Sequence, residues 1–325
     1  MSSNKDKYKR LCDIKSDIPL FNQAWWMDAV CDPYKKMWDV ILIENNNQII
    51  AALPYHYIIK LGMKMVLPPV YTQFNGPWID YPANQTAKQR LSFEKKVMNQ
   101  IIEKLSEAKI KVFQQCFQYK ITNWHPFYWK GFNQTTRYTY QLRDISDTQR
   151  IFNNFSVSKK KYILKSQTSL QLDLTLNTKE YYSFHEYTLK LRNDKIRYSE
   201  SLLKSIFEVA LSRNQGKIFA IKDSSDNLLA AACIVWDKQS SYLLTSAVDI
   251  KFSVSGASSL MIWEAIKFLS NNTKNFDFAG SMIENVAKRN EEFGAEQIPY
   301  FEISKYNFSF TCLLFLKNTL KYLGK

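Results

Sequence analysis

The side chains best suited to chemistry in this sequence lie in the segment FDFAGSMIE, residues 276–284. Asp277 stands between two phenylalanines of a strand-like run, and its carboxylate could take a proton from a reacting group. Ser281 follows the small Gly280, which would let a substrate approach the backbone closely. Glu284 comes one helical turn later. We therefore predict that Asp277, Ser281 and Glu284 are catalytic residues, with backbone capping or a lysine partner as the alternative role for Asp277.

The histidines and cysteines give weaker evidence of a catalytic or metal-binding role than this segment does. His125 could serve as a base at neutral pH, but its neighbours Trp124 and Phe127 are equally consistent with a packed side chain. The other histidines, His56 and His185, form no metal-binding spacing with it. The five cysteines lie far apart and include no CxxC pair. We expect no metal site, no disulfide framework and no tightly bound cofactor.

A second group of polar side chains lies in an irregular, aromatic-rich segment, GMKMVLPPVYTQFNGPWIDYPANQ, residues 62–85. Long irregular loops in compact domains often carry function. Polar tips on apolar bodies suit the recognition of sugars, peptides or lipid headgroups. From this loop and a later strand we predict the substrate-binding residues Tyr71, Gln73, Asn75, Trp78, Tyr138 and Tyr140. Aromatic residues that only cover a sheet edge are the alternative.

Positive charge is concentrated in the middle of the chain. The net charge is +14, and residues 51–200 hold 23 basic against 11 acidic side chains. Such a surface attracts anions, including nucleotides, tRNA and phospholipid headgroups. In the predicted helix VSKKKYILKSQ, residues 157–167, Lys161 and Lys165 share one face, and Arg192 would extend the surface. These three residues are predicted to contact an anionic or nucleotide-linked substrate, or tRNA; a solvated helix face is the alternative.

The pattern of elements repeats. A β-hairpin phrase, WDVILIENNNQIIAALPYH at 38–56, returns as KIFAIKDSSDNLLAAACIVWD at 217–237. A long helical pattern follows each phrase, at 87–108 and 255–272, and then a strand and a Gly/Phe step into a last strand. We infer two copies of one α/β unit with mixed sheets. The boundary between the copies is expected near residues 143–150.

The sequence carries no pattern typical of a signal peptide or a membrane span. With 46% hydrophobic residues the chain can bury large cores. Its start, MSSNKDKYKR, has no apolar signal region, and no stretch approaches the roughly 20 apolar residues of a membrane-spanning helix. We expect a cytoplasmic protein without a transmembrane segment. The sequence does not indicate an oligomeric state.

This order of elements resembles the GNAT acyltransferase fold, and the doubled unit with a basic helix between the copies resembles the Fem-type aminoacyltransferases and their FemAB-like relatives. The resemblance is carried by PPVYTQFNGPW (68–78), PFYWKGFNQTTRYTY (126–140), SKKKYILKSQTSLQLDL (158–174) and FDFAGSM with FGAEQIPYF (276–301). It implies two tandem GNAT-like domains, residues 1–146 and 147–305, the second holding the basic helical insertion. It also implies a tail, residues 306–325, that packs back on the first domain.

The resemblance also bears on the donor. GNAT proteins that use acetyl-CoA carry a Q/R-x-x-G-x-G/A loop, whose amides hold the pyrophosphate at a helix N-terminus. The corresponding stretch here is SVSGAS, residues 253–258, and its predicted donor-binding residues are Ser253, Gly256, Ala257 and Ser258. Ser253 stands where Gln or Arg is expected, so a plain helix start is the alternative. Since Fem-type enzymes generally lack this loop, acyl-CoA and aminoacyl-tRNA both stay open as the co-substrate.

The activity that the resemblance implies is acyl transfer to an amine without a covalent enzyme intermediate. In GNAT domains the acyl ester or thioester lies between two diverging parallel strands, whose free N–H groups bind its carbonyl oxygen. We expect an acyltransferase that modifies an amine of a cell-envelope or small-molecule precursor. The alternative is a catalytically inactive double-GNAT protein that binds RNA or nucleotides through its basic middle.

Overall fold

The computed structural model describes residues 3–31, 33, 37–60, 62–280 and 282–307, and for 253–255 the backbone alone. Three predictions therefore lie outside the described residues: the catalytic role of Ser281, the donor contact of the Ser253 side chain, and the packing of the tail beyond Asn307. The other predicted site residues all have a described position.

The described residues form α-helices and β-strands in a mixed order. The helices are α1 (Asn4–Ile14), α2 (Ala24–Cys31), α3 (Ala87–Glu107), α4 (His125–Trp129), α5 (Thr148–Asn153), α6 (Val157–Ser166), α7 (Thr178–Lys190), α8 (Glu200–Ser212), α9 (Ala257–Leu269) and α10 (Glu284–Glu291). The strands are β1 (Met37–Asn45), β2 (Gln48–Lys60), β3 (Met63–Val66), β4 (Trp78–Ile79), β5 (Ile110–Cys116), β6 (Asn133–Leu142), β7 (Leu170–Asp173), β8 (Gly216–Asp223), β9 (Leu228–Trp236), β10 (Ser240–Val248), β11 (Asn275–Asp277) and β12 (Glu296–Tyr306). A 3₁₀ segment, Ile250–Ser255, precedes α9.

The chain forms two compact units. The first contains the described residues of Met1–Arg137 and Tyr300–Lys325, and the second contains Tyr138–Pro299. The chain thus passes from one unit to the other inside β6 and returns inside β12. The sequence-based division at 146/147 falls between β6 and α5, whereas the division of the compact units falls within the two long strands.

In the first unit the strand order is β1-β2-β3-β5-β12, and β4 also pairs with β2. The pairs β1–β2, β2–β3 and β5–β12 are antiparallel, while β3 and β5 are parallel. Helix α3 makes the connection between the parallel strands and buries one apolar stripe, Val97, Met98, Ile101, Ile102 and Leu105. This stripe is part of a core that also takes in Leu53, Phe113 and Ile303.

In the second unit the strand order is β6-β11-β10-β9-β8-β7. Only β10 and β11 are parallel among these pairs, and α9 makes the connection between them. Nearly every side chain of β9 is buried. Ala230, Ala232 and Ile234 belong to the same core cluster as the apolar side chains of α9. Helices α7 and α8 precede β8, and α7 packs against β10.

The predicted repeat is present in the structure. Hairpins β1–β2 and β8–β9 are each followed by an antiparallel third strand, a long helix, a parallel strand, a short helix and a last strand. The two short helices, α4 and α10, are followed by Gly131 and Gly294, whose φ angles are +74° and +71°. Glycine tolerates this left-handed conformation without strain. The last strands are exchanged between the copies: β6 of the first copy pairs with β11, and β12 of the second pairs with β5.

Side-chain caps mark the N-termini of several helices. Thr86 accepts a hydrogen bond from Gln89 N in a capping box at the start of α3, and Ser199 caps α8. Asn177 caps α7. No helix of the described residues is long and apolar enough to cross a membrane.

Candidate functional site

The parallel pairing of β10 with β11 in the second unit ends well before β10 does. Their parallel ladder runs from Ser240–Asn275 to Tyr242–Asp277 and stops there, while β10 continues to Val248. The register of β10 against β9 also shifts between Leu243 and Thr245, and such an irregularity re-aims side chains and backbone. On its β11 side, β10 therefore carries backbone groups without a strand partner in the described part of the unit.

Four polar side chains meet at Thr245, just after the register shift in β10. Thr245 Oγ1 accepts a hydrogen bond of 3.1 Å from Tyr181 Oη and lies 3.5 Å from His185 Nδ1. His185 Nδ1 lies 2.8 Å from Tyr198 Oη. Tyr181 and His185 are one turn apart on α7, and Tyr198 comes from the loop between α7 and α8. We call Tyr181, His185, Tyr198 and Thr245 the His185 cluster.

The electrostatics of the cluster favour a neutral imidazole. Burial lowers the pKa of His185 below the ordinary 6.5, and the positive charge of Arg192 lowers it further. Arg192 is held near the cluster by a 3.2 Å hydrogen bond from Nη2 to the carbonyl of Val248. Burial also raises the pKa of the Tyr181 hydroxyl well above its ordinary value, so this group stays a donor. At neutral pH the His185 imidazole is unprotonated and can accept a proton.

Asp277 lies at the end of β11, where the ladder stops, and its side chain is fully buried. Its Oδ1 accepts hydrogen bonds from Thr139 Oγ1 at 2.5 Å and from Ala279 N at 2.8 Å. Gln141 Nε2 donates to Oδ2 at 2.7 Å. Burial nevertheless raises the pKa of this carboxyl to about 6, the hydrogen bonds acting in the opposite direction. The carboxylate therefore ties β11 to β6 and fixes the turn that leaves the strand.

The N-terminus of α9, where the donor-binding residues were predicted, is covered by α6. Gly256 precedes the helix with φ +78° and no side-chain cap. A Cβ at this position would clash with Ser166 Oγ and lie 2.9 Å from the carbonyl oxygen of Tyr162. Gly256 and Ala257 are buried, and Ser258 is half-buried. The backbone that would cradle a pyrophosphate is thus in contact with the chain's own basic helix.

The predicted residues of the irregular segment lie in the first unit. Trp78 Nε1 donates to Asp17 Oδ2 at 3.0 Å. Asn75 is buried, and its Oδ1 accepts from Gln115 Nε2 at 2.5 Å. The amide atoms of Gln73 are buried and make no hydrogen bond with the described residues.

The predicted tyrosines and Glu284 differ in burial and in their hydrogen-bond or ion-pair partners. Tyr71 and Tyr138 are half-buried, and Tyr140 is buried. Tyr140 Oη accepts a 2.8 Å hydrogen bond from Gln297, so its polar tip is used internally. Exposed Glu284 pairs with Lys288 at 2.7 Å on the surface of α10.

The basic residues predicted on α6 are exposed. Lys161 and Lys165 form no ion pair with the described residues, which leaves their charges available to an anion. His125 is exposed and stacks on Trp129, with ring centroids 5.7 Å apart.

None of the four residues of the His185 cluster was predicted as a site residue from the sequence. A signal was present, because Tyr181 and His185 lie four residues apart on α7, the spacing of a single helix face. That face also carries the buried Phe184 and Thr188. A histidine on the buried face of a helix needs a polar partner, but that partner could not be identified from spacing alone.

The side chains that commonly bind metals are dispersed. Among the described residues, no group of three or more histidine, cysteine, aspartate or glutamate side chains is arranged to hold a metal ion. The described cysteines, Cys12, Cys31, Cys116 and Cys233, form no disulfide.

No model of a known protein family matches the sequence, and a search of curated proteins also finds no match. Solved structures do match. FemX aligns with a TM-score of 0.69 at 10% identity, over 93% of this chain and 96% of FemX. The chain has the double-GNAT fold of FemX.

Two further structures share this double-GNAT fold. A tandem GNAT protein from the clavulanic acid biosynthesis pathway aligns with a TM-score of 0.54 at 9% identity, over 94% of this chain and 96% of that protein. The C-terminal domain of a putative lysylphosphatidylglycerol synthetase from Agrobacterium fabrum aligns with a TM-score of 0.58 at 10% identity, over 98% of this chain and 97% of that domain. The tandem GNAT-like fold that the sequence resemblance implied is confirmed.

Proposed function

We propose that the protein transfers an acyl or aminoacyl group from an ester or thioester donor to an amine of a cell-envelope or small-molecule precursor. The observation that carries the proposal is the part of β10 beyond Tyr242, which has no strand partner on its β11 side among the described residues. The neutral imidazole of His185 lies beside Thr245 of this part. Unpaired strand N–H groups are suited to bind a carbonyl oxygen, and they bind it more tightly as it gains negative charge.

His185 is the proton acceptor in this proposal. The amine nitrogen attacks the acyl carbon and forms the C–N bond, while its proton passes to the imidazole. The tetrahedral intermediate then breaks the C–O or C–S bond, and the leaving oxygen or sulfur takes the proton back from His185. The step needs no covalent enzyme intermediate and no oxidant, and a positioned base of this kind typically contributes about 10²- to 10⁴-fold in rate.

Aminoacyl-tRNA is the donor we favour. Two features support it: the N-terminus of α9 is in contact with Ser166 and Tyr162 of α6, and Lys161 and Lys165 of the same helix are exposed. The first feature supports this choice, because contact with α6 would hinder the binding of a CoA pyrophosphate at this helix N-terminus. The second offers cations to a polynucleotide backbone. The location of the protein in the cytoplasm, where charged tRNA is found, belongs to the same proposal.

The test is a transfer assay with two donors. Bulk tRNA charged with radiolabelled amino acids, or labelled acetyl-CoA, is incubated with a nucleotide-linked muropeptide bearing a free lysine amine and with free glucosamine. We expect product from charged tRNA. His185→Gln should lower kcat by about 10²-fold or more, while His125→Gln, a change to an exposed histidine in the first unit, should leave it unchanged.

The pH profile adds a second measurement. Because burial and Arg192 lower the pKa of His185, its base form persists to below pH 6.5. Activity should therefore fall only on the acid side of that value, and this limb should be absent from the residual activity of His185→Gln.

Other outcomes would correct the proposal. Product from acetyl-CoA alone would overturn the donor assignment and retain the transferase. Binding of tRNA with a steep salt dependence, but no product from either donor, would favour the inactive RNA-binding alternative.

A further inference from the structure

Helix α10 carries an arginine without a counter-charge. The guanidinium of Arg289 donates twice to one atom, Asn290 Oδ1, from Nε at 3.3 Å and from Nη2 at 3.2 Å. The nearby cations behave differently: Lys288 pairs with Glu284 at 2.7 Å, and Lys159 pairs with Glu292 at 3.1 Å. No carboxylate of the described residues pairs with Arg289.

This arginine is also half-buried. Burial alone lowers its pKa, and no negative charge acts in the opposite direction. A guanidinium has five N–H donors and no acceptor, and a neutral amide oxygen satisfies only two of them here. Because unpaired charges are costly to bury, proteins pair them or place them where a ligand supplies the opposite charge.

Asn290 provides a second, independent observation. Its side chain is fully buried, and its Nδ2 has no hydrogen-bond partner among the described residues. The orientation of the amide is fixed, since an arginine can only donate and must therefore face Oδ1. Nδ2 belongs to the same planar amide as Oδ1, so it lies within a few ångström of the guanidinium.

We infer that Arg289 and Asn290 form a binding site for an oxyanion, the phosphate or the carboxylate of a ligand. Every unsatisfied group at the site is an N–H donor, which excludes a cation and suits the several lone pairs of an oxyanion. A planar guanidinium binds such groups through two parallel hydrogen bonds. The inference is independent of the proposed transfer reaction, because it concerns binding only.

The test measures anion-dependent thermal stabilisation of the full chain. Sodium phosphate and sodium acetate are the two probes, each compared with sodium chloride at equal ionic strength. A ligand that binds only the folded state raises Tm as its concentration passes Kd. We expect the wild-type Tm to rise with phosphate or with acetate, and the probe that acts identifies the oxyanion.

The deciding variant is Asn290→Asp. The change is isosteric and places a carboxylate against the guanidinium, so the internal ion pair should raise the anion-free Tm and abolish the response to the anion. Arg289→Lys keeps the charge but loses the two-pronged geometry and should weaken the apparent affinity by about tenfold or more. Lys288→Gln, which removes a neighbouring cation already paired on the surface, should respond as the wild type does.

Two results of this test would overturn the proposed anion site. An anion response that is equal in the wild type and Asn290→Asp would overturn the site, because general salting effects act on both proteins alike. The absence of any response in the wild type would also overturn it. Since transfer activity is not measured, failure here leaves the proposed function untouched, and failure of the transfer assay leaves this site untouched.

Discussion

The burial of Asp277 predicts an unusual pH dependence of stability. The pKa of this carboxyl rises from the ordinary 3.8 to about 6 in the folded chain. An acid with a raised pKa binds its proton more tightly when folded, so the folded state is favoured at low pH and loses this advantage as pH rises through about 6. At about 1.4 kcal/mol per pKa unit, the full effect is about 3 kcal/mol.

The matched measurement compares the wild type with Asp277→Asn, in which this titration is absent. Urea unfolding followed by circular dichroism gives the free energy of unfolding of each protein. Between about pH 4.5 and about pH 7.5, the wild type should lose about 2 kcal/mol relative to the variant. Subtraction cancels the other titrating groups, which both proteins share. Asp194→Asn, which removes an exposed carboxylate of the same unit, should follow the wild type.

The opposite result would refute the reasoning about burial. Three donors surround the carboxylate, from Thr139, Gln141 and Ala279. If these hydrogen bonds outweighed desolvation, the folded pKa would fall below 3.8 and the wild type would gain stability relative to the variant as pH rises. A difference that does not change with pH would mean that the two effects cancel, and it would remove Asp277 as a titrating group near neutrality.

Two further predictions concern the second unit. Gly256→Ala should destabilise the chain by about 3 kcal/mol, since the new Cβ meets α6 at a left-handed residue. The control is Gly131→Ala in the first unit, where φ is +74° but no atom lies within 4 Å of the added Cβ; it should cost only about 1 kcal/mol. If thermal denaturation shows the same loss of stability for both variants, α6 does not restrict the space at Gly256. Tyr181→Phe should cost about 1 kcal/mol through the lost hydrogen bond to Thr245. It should also change the pH profile of transfer through His185, and an unaltered unfolding midpoint and profile would contradict that contact.

Short-range patterns predicted the elements well. The apolar runs of both hairpins and the helical patterns of α3 and α9 all depend on neighbours within a few positions. Because such patterns include no information on distant segments, they did not predict which side chains the folded chain covers. Ile163 and Leu164 are equally apolar in sequence, yet Ile163 is buried and Leu164 is 56% exposed, because the direction of α6 relative to α9 selects the face that is covered.

The end of α8 shows the same limitation. A glycine shortly after a helical pattern usually marks the end of the helix, yet α8 ends at Ser212 and Asn214 takes the left-handed conformation with φ +54°. Gly216 begins β8 instead, where a Cβ would lie 2.7 Å from Ala210 Cβ. Glycine was needed there for a close approach between elements, which spacing does not reveal.

The candidate site was less predictable than the fold. Asp277 and Gly280 were found because a polar residue and a glycine at a strand end are visible in sequence. The partners that decide what Asp277 does are not visible, since Thr139 lies 138 positions away. The same holds for His185, whose contact with Thr245 spans 60 positions.

By itself, the sequence determined the repeated α/β unit, the order of its elements and the basic middle of the chain, because these follow from side-chain periodicity and charge within single segments. Only the tertiary structure decided the exchange of β6 and β12 between the copies, the point where the pairing of β10 with β11 ends, and the contact of α6 with Gly256. It also decided that Asp277 is buried among donors while Arg289 has no counter-charge among the described residues. Burial and partner choice set these properties, and both depend on which distant segments the folded chain brings together.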